Sequence, residues 1–186
     1  HAVRSVGKLE AGETLFLWGG GGTIGSMAVA IAKELGVTVI TTAGREERRN
    51  TVLQAGADYC LNRNEVDVSE EVRNIAPEGV DAVLDYIGHD TFGTSLSLIK
   101  NGGRLLLCGI MSGATVELNI HQTYFHHQSI HGLFLGSRDD MSRVIDLVAE
   151  KRIEPLIHDV MPLSDASEAH RIVASGGNRG KIVLAP

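Results

Sequence analysis

The sequence predicts an α/β domain built on a doubly wound, six-stranded parallel sheet with helices on both faces. Two observations predict it: short apolar segments alternate with helix-like segments along the 186 residues, and a run of four glycines separates the first apolar segment from the first helix. Parallel strands need crossover connections, which are almost always right-handed. The alternation therefore favours a doubly wound topology.

The first five segments establish this alternation. Residues 14–18, TLFLW, form an apolar run typical of a buried strand. Residues 24–35 carry apolar side chains at helical spacing and are followed by glycine, a common helix terminator. The β-branched run at 37–42 predicts a second strand. The charged segment 46–54 predicts a second helix, and DYCLN at 58–62 predicts a third strand.

The middle of the chain repeats the order. Residues 68–76 predict a helix that stops before a proline, and DAVLDYI at 81–87 predicts the fourth strand. A helix at 90–99 is expected to end at the Asn-Gly-Gly sequence that follows it. RLLLCGI at 104–110 predicts the fifth strand, and an irregular stretch follows it.

The last part predicts a sixth strand at 129–135, a strong helix at 139–150, a short helix near 165–174 and a final strand at 181–185. At the other end, Ala2, Val3, Val6 and Leu9 are already in helical phase, with no capping residue before them. This uncapped start suggests a domain excised from a longer chain.

Composition limits the classes of function. The formal charge is −6, from 23 Asp and Glu against 17 Lys and Arg, which provides no basic field for a nucleic-acid partner. No apolar run approaches the roughly 20 residues that span a bilayer, so no membrane partner is expected. Cys60 and Cys108 are spaced neither as metal ligands nor as a disulfide framework. This favours a reducing, cytoplasmic location.

The glycine run carries the first functional signal. Only one frame fits the G-x-G-x-x-G pattern, with Gly20, Gly22 and Gly25 as its glycines. In a Rossmann-type fold the first supplies a tight turn, the second lets the backbone approach a pyrophosphate, and the third lets helix and strand pack closely. The amino terminus of the following helix then offers free N–H groups to the phosphates. The alternative is a purely structural glycine-rich turn, or a turn for another nucleotide-like ligand.

The end of the second predicted strand bears on which dinucleotide binds. An enzyme that selects NAD usually places an acid there, on the ribose 2′-hydroxyl, but this chain reads TTAGREERR. Arg45 and Arg48 suit a 2′-phosphate, which arginine can contact through charge-assisted hydrogen bonds. The charged run is also typical of a solvated helix start. The missing acid favours NADP(H) over NAD.

At this point the chain resembles the cofactor domain of the medium-chain dehydrogenase/reductase superfamily, which includes zinc-type alcohol dehydrogenases, quinone oxidoreductases and enoyl reductases. The resemblance covers essentially the whole chain. Its motifs, in order, are EAGETLFLWGGGGTIGSMAVAIAKELG, TAGREERR, AGADYCLN, GVDAVLDYIG, NGGRLLLCG, GSRDDM and PLSDASEAHRIVASGGNRGKIVL.

The resemblance implies a cofactor site at the carboxyl ends of the strands. The residues it assigns to the pyrophosphate are Gly20, Gly22, Thr23, Ile24 and Gly25. It places Tyr86, Ile87 and Gly88 near the adenosine ribose and the nicotinamide. Near the nicotinamide carboxamide it places Cys108, Gly109, Leu133 and Leu135. Near the 2′-phosphate, Ala43 stands where NAD-preferring members carry an acid, and Gly44 forms the turn. Arg48 stands where NADPH-dependent relatives often have lysine, and Arg63 where some have tyrosine.

The resemblance also implies a missing partner. The family's amino-terminal domain carries most of the substrate-side chemistry, so residues 1–186 are expected to form a cofactor-binding domain that binds nucleotide with little or no turnover. The catalytic residues are unknown, and zinc is possible in the full-length parent but not in this chain. Residues 155–186 would be a tail that packs toward the missing domain. The parent would transfer hydride between nicotinamide and a small-molecule carbonyl, quinone or activated alkene.

The resemblance further implies a homodimer through the edge of the sixth strand. Two rival functions stay open: a non-catalytic nucleotide-sensing or structural domain, and a methyltransferase, which also has a glycine-rich turn after its first strand. Four histidines lie within eleven residues, at His121, His126, His127 and His131. Since no Cys or carboxylate accompanies them at ligand spacing, they are expected to be incidental rather than a metal site.

Overall fold

The structure, a computed structural model, describes residues 1–176 and 178–186. The strands are Thr14–Leu17 (β1), Thr38–Ala43 (β2), Tyr59–Asn62 (β3), Val80–Asp85 (β4), Ile99–Leu107 (β5), Ser129–Gly132 (β6), Ile157–Pro162 (β7) and Lys181–Ala185 (β8). The α-helices are Thr23–Glu34 (α1), Glu46–Gln54 (α2), Val68–Ile75 (α3), His89–Leu98 (α4), Ile120–Phe125 (α5), Arg138–Ala149 (α6) and Ala166–Ala174 (α7).

The first six strands form the predicted parallel sheet, in the order β3-β2-β1-β4-β5-β6. Strand β1 lies at its centre, where Leu17 pairs with Thr41 of β2 on one side and with Leu84 of β4 on the other. The strand order reverses at β1. An open α/β sheet binds its ligand at such a switch point, at the carboxyl ends of the strands.

Alternate residues of β1 enter two separate cores, one on each face of the sheet. Leu15 and Leu17 belong to the cluster that includes Val29 of α1, whereas Phe16 belongs to the cluster that includes Phe92 of α4. Of these five side chains, Phe92 is slightly exposed and the other four are fully buried. A strand buried on both faces must be apolar throughout, which explains why TLFL shows no alternation. The fold is the predicted doubly wound Rossmann-type sheet.

Strands β4, β5 and β6 end two or three residues earlier than predicted, and β5 stops at Leu107 instead of Ile110. Strand β4 stops at Asp85, because Tyr86 and Ile87 turn into a loop that the Asp85 carboxylate holds. Strand β6 stops at Gly132, and Leu135 beyond it has a φ of 59°, which a strand does not accommodate. Apolar residues continue along the chain beyond the end of each of these strands, so the apolar pattern alone overestimated where the strands end.

The Asn-Gly-Gly sequence was predicted wrongly as a helix terminator. Helix α4 ends before it, and β5 already begins at Ile99, which pairs with Val80. The register then shifts between Val80 and Ala82, and a Cβ on Gly103 would lie 2.8 Å from the carbonyl oxygen of Asp81. These glycines form an irregularity within a strand, where the two backbones approach closely.

Two elements were not predicted. Helix α5 follows Asn119, whose side chain accepts a hydrogen bond from the N–H of Gln122. None of its residues is buried, and its six residues are too few to establish a helical period in the sequence. Strand β7 pairs in parallel with β8 in a separate two-stranded sheet, although prolines lie near both its ends. None of the helices in the described part of the chain is long and apolar enough to cross a membrane.

Candidate dinucleotide-binding site

The glycine-rich segment forms a tight turn between β1 and α1. Gly19 has a φ of +67°, the left-handed region that favours glycine. Its N–H donates to the Thr42 hydroxyl at 3.0 Å, and the N–H of Gly20 donates to the Thr41 hydroxyl at 2.9 Å. The sequence had assigned no task to Gly19 or to the threonines. The sequence feature that could have indicated this role is the pair of hydroxyl residues, Thr41 and Thr42, near the end of a buried strand.

Steric contacts explain two of the three fingerprint glycines. A Cβ on Gly20 would lie 2.6 Å from the Thr41 hydroxyl oxygen, and a Cβ on Gly25 would lie 2.7 Å from the Cα of Gly20. Gly22 differs, because the atom nearest to its Cβ position is 3.5 Å away. The protein's own packing would therefore accommodate a Cβ at Gly22. The fingerprint assigns this glycine to close approach of a pyrophosphate.

Helix α1 begins directly after this turn. Gly22 is its N-cap and makes no side-chain cap, and helix geometry leaves the amides of Thr23, Ile24 and Gly25 without intrahelical acceptors. The Thr23 hydroxyl donates to the carbonyl oxygen of Gly180 at 3.0 Å. The residues present fit a pyrophosphate, because free amides and the partial positive charge of a helix amino terminus lie directly after a glycine-rich turn.

The end of β2 contributes a second part of the site. Ala43 is buried at the strand end. A Cβ on the next residue, Gly44, would lie 3.1 Å from Nη2 of Arg63, so Arg63 lies across this turn. The Asn64 side chain donates to the carbonyl oxygen of Gly44 at 2.8 Å. The structure thus brings Arg63 next to the position where the usual acid is missing.

Arg48 lies between the glycine-rich turn and the tail. Its Cβ is 3.4 Å from the Cβ position of Gly21, and its Nη2 donates to the carbonyl oxygens of Gly176 and, at 2.6 Å, Asn178. Burial lowers the pKa of Arg48, and the positive charges of Arg45 and Arg63 lower it further. Three arginines therefore converge on one region, where an anion would relieve their mutual repulsion.

The other charged residues at the start of α2, Glu46, Glu47 and Arg49, make hydrogen bonds and ion pairs within the protein. The Arg49 Nε donates to the carbonyl oxygen of Cys60 at 2.7 Å, and its guanidinium pairs with Glu46 at 3.3 Å. Glu47 pairs with Arg179 at 2.8 Å. Arg49 therefore stabilises the contact between α2 and β3, while Arg45 and Arg48 lie on the side of the glycine-rich turn.

The turn after β4 packs directly against the glycine-rich turn. The Tyr86 hydroxyl donates to the carbonyl oxygen of Gly19 at 2.7 Å, and burial raises the pKa of this phenol. A Cβ on Gly109 would lie 2.9 Å from the Cα of Tyr86, so the turn after β5 packs directly against it. Gly88 has a φ of +97° and bridges to Gly113. The structure thus brings Tyr86, Gly88 and Gly109 together at the carboxyl ends of β4 and β5.

The other residues predicted near the nicotinamide, Cys108, Leu133 and Leu135, lie less close together. Cys108 follows β5 and is half-buried; burial raises the pKa of its thiol, and the charge of Asp85 adds to the effect. Leu133 packs against the same core cluster as Cys108. Leu135 is 76% exposed. A cavity of about 790 Å³ lies nearby between His89 and Glu117, but no residue of the glycine-rich turn lines it.

Metal ligands form no cluster in the part of the chain that the structure describes, since no three His, Cys, Asp or Glu side chains lie where they could hold an ion together. Among the four neighbouring histidines, His121 stacks on Phe125 with ring centroids 5.5 Å apart, and His126 hydrogen-bonds Asn101 at 2.7 Å. His121 and His126 therefore make local contacts on α5 and in the turn after it.

A glycine-rich turn at the switch point of a sheet ordered 3-2-1-4-5-6 defines the class of Rossmann-type cofactor domains. The family model described as zinc-binding dehydrogenase matches residues 23–150, and the chain belongs to this family. Within the medium-chain dehydrogenase/reductase superfamily, it corresponds to the carboxyl-terminal cofactor-binding domain.

Relatives and solved structures agree with this assignment. Quinone oxidoreductases from Homo sapiens and Sus scrofa are 31% and 30% identical over 184 residues, covering 95% of this chain and 55% of theirs. The crystal structure of an NAD-dependent alcohol dehydrogenase matches with a TM-score of 0.91 and 28% identity, over 100% of this chain and 54% of that one.

A mycobacterial structure complexed with NADPH matches with a TM-score of 0.87 and 27% identity, over 99% of this chain and 60% of that one. The chain therefore spans about half the length of the curated relatives it matches. Its structural neighbours include one protein described as NAD-dependent and one that holds NADPH.

Proposed function

We propose that this chain is the NADP(H)-binding domain of a medium-chain oxidoreductase that transfers hydride between nicotinamide and a carbonyl, quinone or activated alkene. The observation that carries the proposal is the end of β2. There Ala43 replaces the usual acid, and Arg45, Arg48 and Arg63 are close enough for their charges to interact. A 2′-phosphate is the group that distinguishes NADP from NAD, and it suits a cluster of arginines.

The chain's own residues hold the dinucleotide from three sides. The amides at the start of α1 would bind the pyrophosphate beside Gly22, and Arg48 and Arg63 would bind the 2′-phosphate. Both carbonyl contacts of Arg48 use Nη2. Among the described residues no hydrogen bond uses its Nε or Nη1, so the guanidinium keeps donors for an added anion.

The bound nicotinamide supplies or accepts the hydride, and the protein supplies orientation. We assign the nicotinamide end of the cleft to Tyr86, Ile87, Gly88, Cys108, Gly109, Leu133 and Leu135. The half-buried Cys108 and Leu133 would give one face of the ring an apolar wall, which excludes water from that face. The substrate and the group that exchanges its proton would lie on the catalytic half of the parent enzyme.

Two surfaces fit the remaining parts of such an enzyme. Apolar side chains of the tail are exposed at Val160, Leu163 and Val173, which supports packing of residues 155–186 toward a catalytic domain. At one edge of the six-stranded sheet, β6 is the terminal strand, and Phe134 beyond it is 89% exposed. An unpaired edge strand beside an exposed aromatic supports a homodimer through β6. The free thiols of Cys60 and Cys108 support a cytoplasmic location.

Calorimetric titration of the 186-residue chain with NADPH, NADH and S-adenosylmethionine tests the cofactor assignment. We expect NADPH to bind at least about tenfold more tightly than NADH, since the 2′-phosphate adds charge-assisted hydrogen bonds of roughly 1.5–3 kcal/mol each. Equal affinities would contradict the NADP assignment. A preference for S-adenosylmethionine would indicate the methyltransferase alternative instead.

Turnover by the chain alone is a separate test. We expect no steady-state NADPH oxidation with a quinone or an aldehyde, because the proton-exchanging group is assigned to the other half of the parent. Measurable reduction by the pure chain would overturn that assignment, while the cofactor assignment would stand on the titration.

A further inference from the structure

Asp85 is a fully buried carboxylate at the carboxyl end of β4. Four groups donate hydrogen bonds to it: the N–H groups of Ile87 at 2.9 Å and Gly88 at 3.1 Å, and the hydroxyls of Thr91 at 2.8 Å and Ser95 at 2.6 Å. A carboxylate buried at this depth is tolerated only when donors of this kind surround it.

The contacts extend from Asp85 to the glycine-rich turn by two routes. Ser95 accepts a hydrogen bond from the indole Nε1 of Trp18 at 2.8 Å, and Trp18 directly precedes Gly19. Tyr86, which directly follows Asp85, donates to the carbonyl oxygen of Gly19 at 2.7 Å. Hydrogen bonds and peptide bonds therefore close a ring that joins the turn after β1 to the turn after β4.

The direction of the hydrogen bonds makes this ring sensitive to a single charge. The indole N–H donates to Ser95, so the Ser95 proton is committed to Asp85. An amide in place of the carboxylate would present two N–H donors of its own to a site already filled with donors. At least one buried donor would then lose its acceptor, and the ring would rearrange.

We propose that Asp85 is a positioning residue for the dinucleotide. It holds the turns at residues 18–20 and 86–88 against each other, at the carboxyl ends of the strands where the dinucleotide is proposed to bind. This inference rests on the proposed function, because it concerns the same cleft. It adds a residue that touches no part of the cofactor but on which cofactor affinity depends.

Strand β4 provides a matched control. Asp81, near the amino end of the same strand, is also a buried carboxylate; it accepts a hydrogen bond from the N–H of Thr14 at 2.8 Å and pairs with Lys100. Its contacts lie at the amino ends of the strands, whereas Asp85 lies at their carboxyl ends. Asp81→Asn removes a comparable buried charge without touching the ring.

Titration with NADPH separates the two carboxylates. We expect Asp85→Asn to weaken binding by tenfold or more, and Asp81→Asn to change it by less than twofold, when both variants are measured well below their unfolding temperatures. Equal binding by Asp85→Asn and the unchanged chain would overturn the proposal. So would an equal loss in both variants, because the effect would then follow stability and not position.

A second set of variants keeps the test decisive if Asp85→Asn does not fold. Ser95→Ala breaks the link between Trp18 and Asp85, and Ser97→Ala, an exposed position on the same helix, is its control. Thr91→Ala should weaken NADPH binding, and Thr91→Ser should restore it, since serine keeps the hydroxyl that donates to Asp85. Binding that is lost in Thr91→Ser as strongly as in Thr91→Ala would contradict the hydrogen-bond role.

Amide hydrogen exchange in the absence of nucleotide distinguishes failure of this inference from failure of the proposed function. Loss of the Asp85 charge should speed exchange at Ile87 and Gly88 and also at Gly19 and Gly20 across the ring. Trp18, the single tryptophan of the chain, should shift its emission in parallel. Faster exchange confined to Ile87 and Gly88 would overturn the coupling, whether or not the unchanged chain binds NADPH.

Discussion

The two sides of the proposed cofactor cleft are built differently. On the pyrophosphate side, Gly19, Gly20 and Gly25 are fixed by backbone conformation and by atoms within 3 Å of any added Cβ. On the 2′-phosphate side, Arg48 is held by backbone carbonyls of the tail, and Arg45 is exposed with one long contact to the same segment. One side is a rigid turn, and the other is a group of long side chains with exchangeable partners.

This difference separates binding from selectivity. A pyrophosphate occurs in every dinucleotide, so a rigid turn suits the part that all of them share. The 2′-phosphate distinguishes two cofactors, and surface arginines can change that preference without disturbing the core. Substitutions on the first side should therefore affect the binding of all nucleotides together, and those on the second side should affect the binding of one nucleotide only.

Gly25→Ala should have the largest effect. Its Cβ would lie 2.7 Å from the Cα of Gly20, so helix and turn must separate; we expect about 1–3 kcal/mol of lost stability and loss of both NADPH and NADH binding. Thermal unfolding and titration measure the two losses. Gly93→Ala is the control, because nothing lies within 4 Å of that Cβ and alanine favours a helix. Equal stability of the two variants would contradict the steric account.

Gly22→Ala should separate folding from binding. The nearest atom to its Cβ is 3.5 Å away, an ordinary contact, so the unfolding temperature should change little. The new methyl group would occupy the space that we assign to the pyrophosphate, so NADPH and NADH should both bind about tenfold or more weakly. Unchanged affinity in a folded variant would show that the pyrophosphate does not approach Gly22.

Arg48→Ala should affect only the phosphorylated cofactor. Loss of one charge-assisted contact of about 1.5–2 kcal/mol corresponds to roughly 10- to 30-fold weaker NADPH binding, with NADH unchanged. Arg49→Ala, which breaks the contact with Cys60 instead, is the matched control and should leave both affinities unchanged. Equal losses of NADPH and NADH in Arg48→Ala would remove this residue from the 2′-phosphate.

Cys108 should show the smallest effect, in its reaction with iodoacetamide. Burial raises the pKa of its thiol, and the charge of Asp85 raises it further, so the rate should reach half of its maximum at a higher pH than for an ordinary thiol with a pKa of about 8.5. NADPH should slow the reaction by covering the nicotinamide end of the proposed site. A half-maximal rate at or below about pH 8.5, or a rate that NADPH leaves unchanged, would contradict this placement.

Much of this account could be predicted from the sequence, because its signals are local. The strand-turn-helix around Gly20, Gly22 and Gly25 depends on residues within one short segment, and the missing acid at Ala43 lies at a known distance from it. The sheet order follows from alternating elements and right-handed crossovers. These predictions needed no knowledge of long-range contacts.

The remaining parts depend on contacts between distant segments. Thr41 and Thr42 hold the glycine-rich turn only because β2 lies beside β1, and the contact of Arg48 with Asn178 joins residues 130 positions apart. Strand β7 is mostly exposed and pairs only with β8, so it carries no burial pattern. In the sequence, Asp85 is simply an acidic residue at the end of an apolar strand. Its hydrogen-bond donors from residues 87–95 can be identified only in the folded structure.

The most direct test of the account is a backbone NMR titration of the isotopically labelled chain with NADPH. If NADPH binds across the two turns, the largest amide shifts are expected at residues 19–25 and 86–88. Shifts are also expected at 43–48 and at Arg63, and these should be much weaker when NADH replaces NADPH. Largest shifts in the His89–Glu117 cavity or in the tail strands, or identical shifts near Arg48 with both nucleotides, would contradict it.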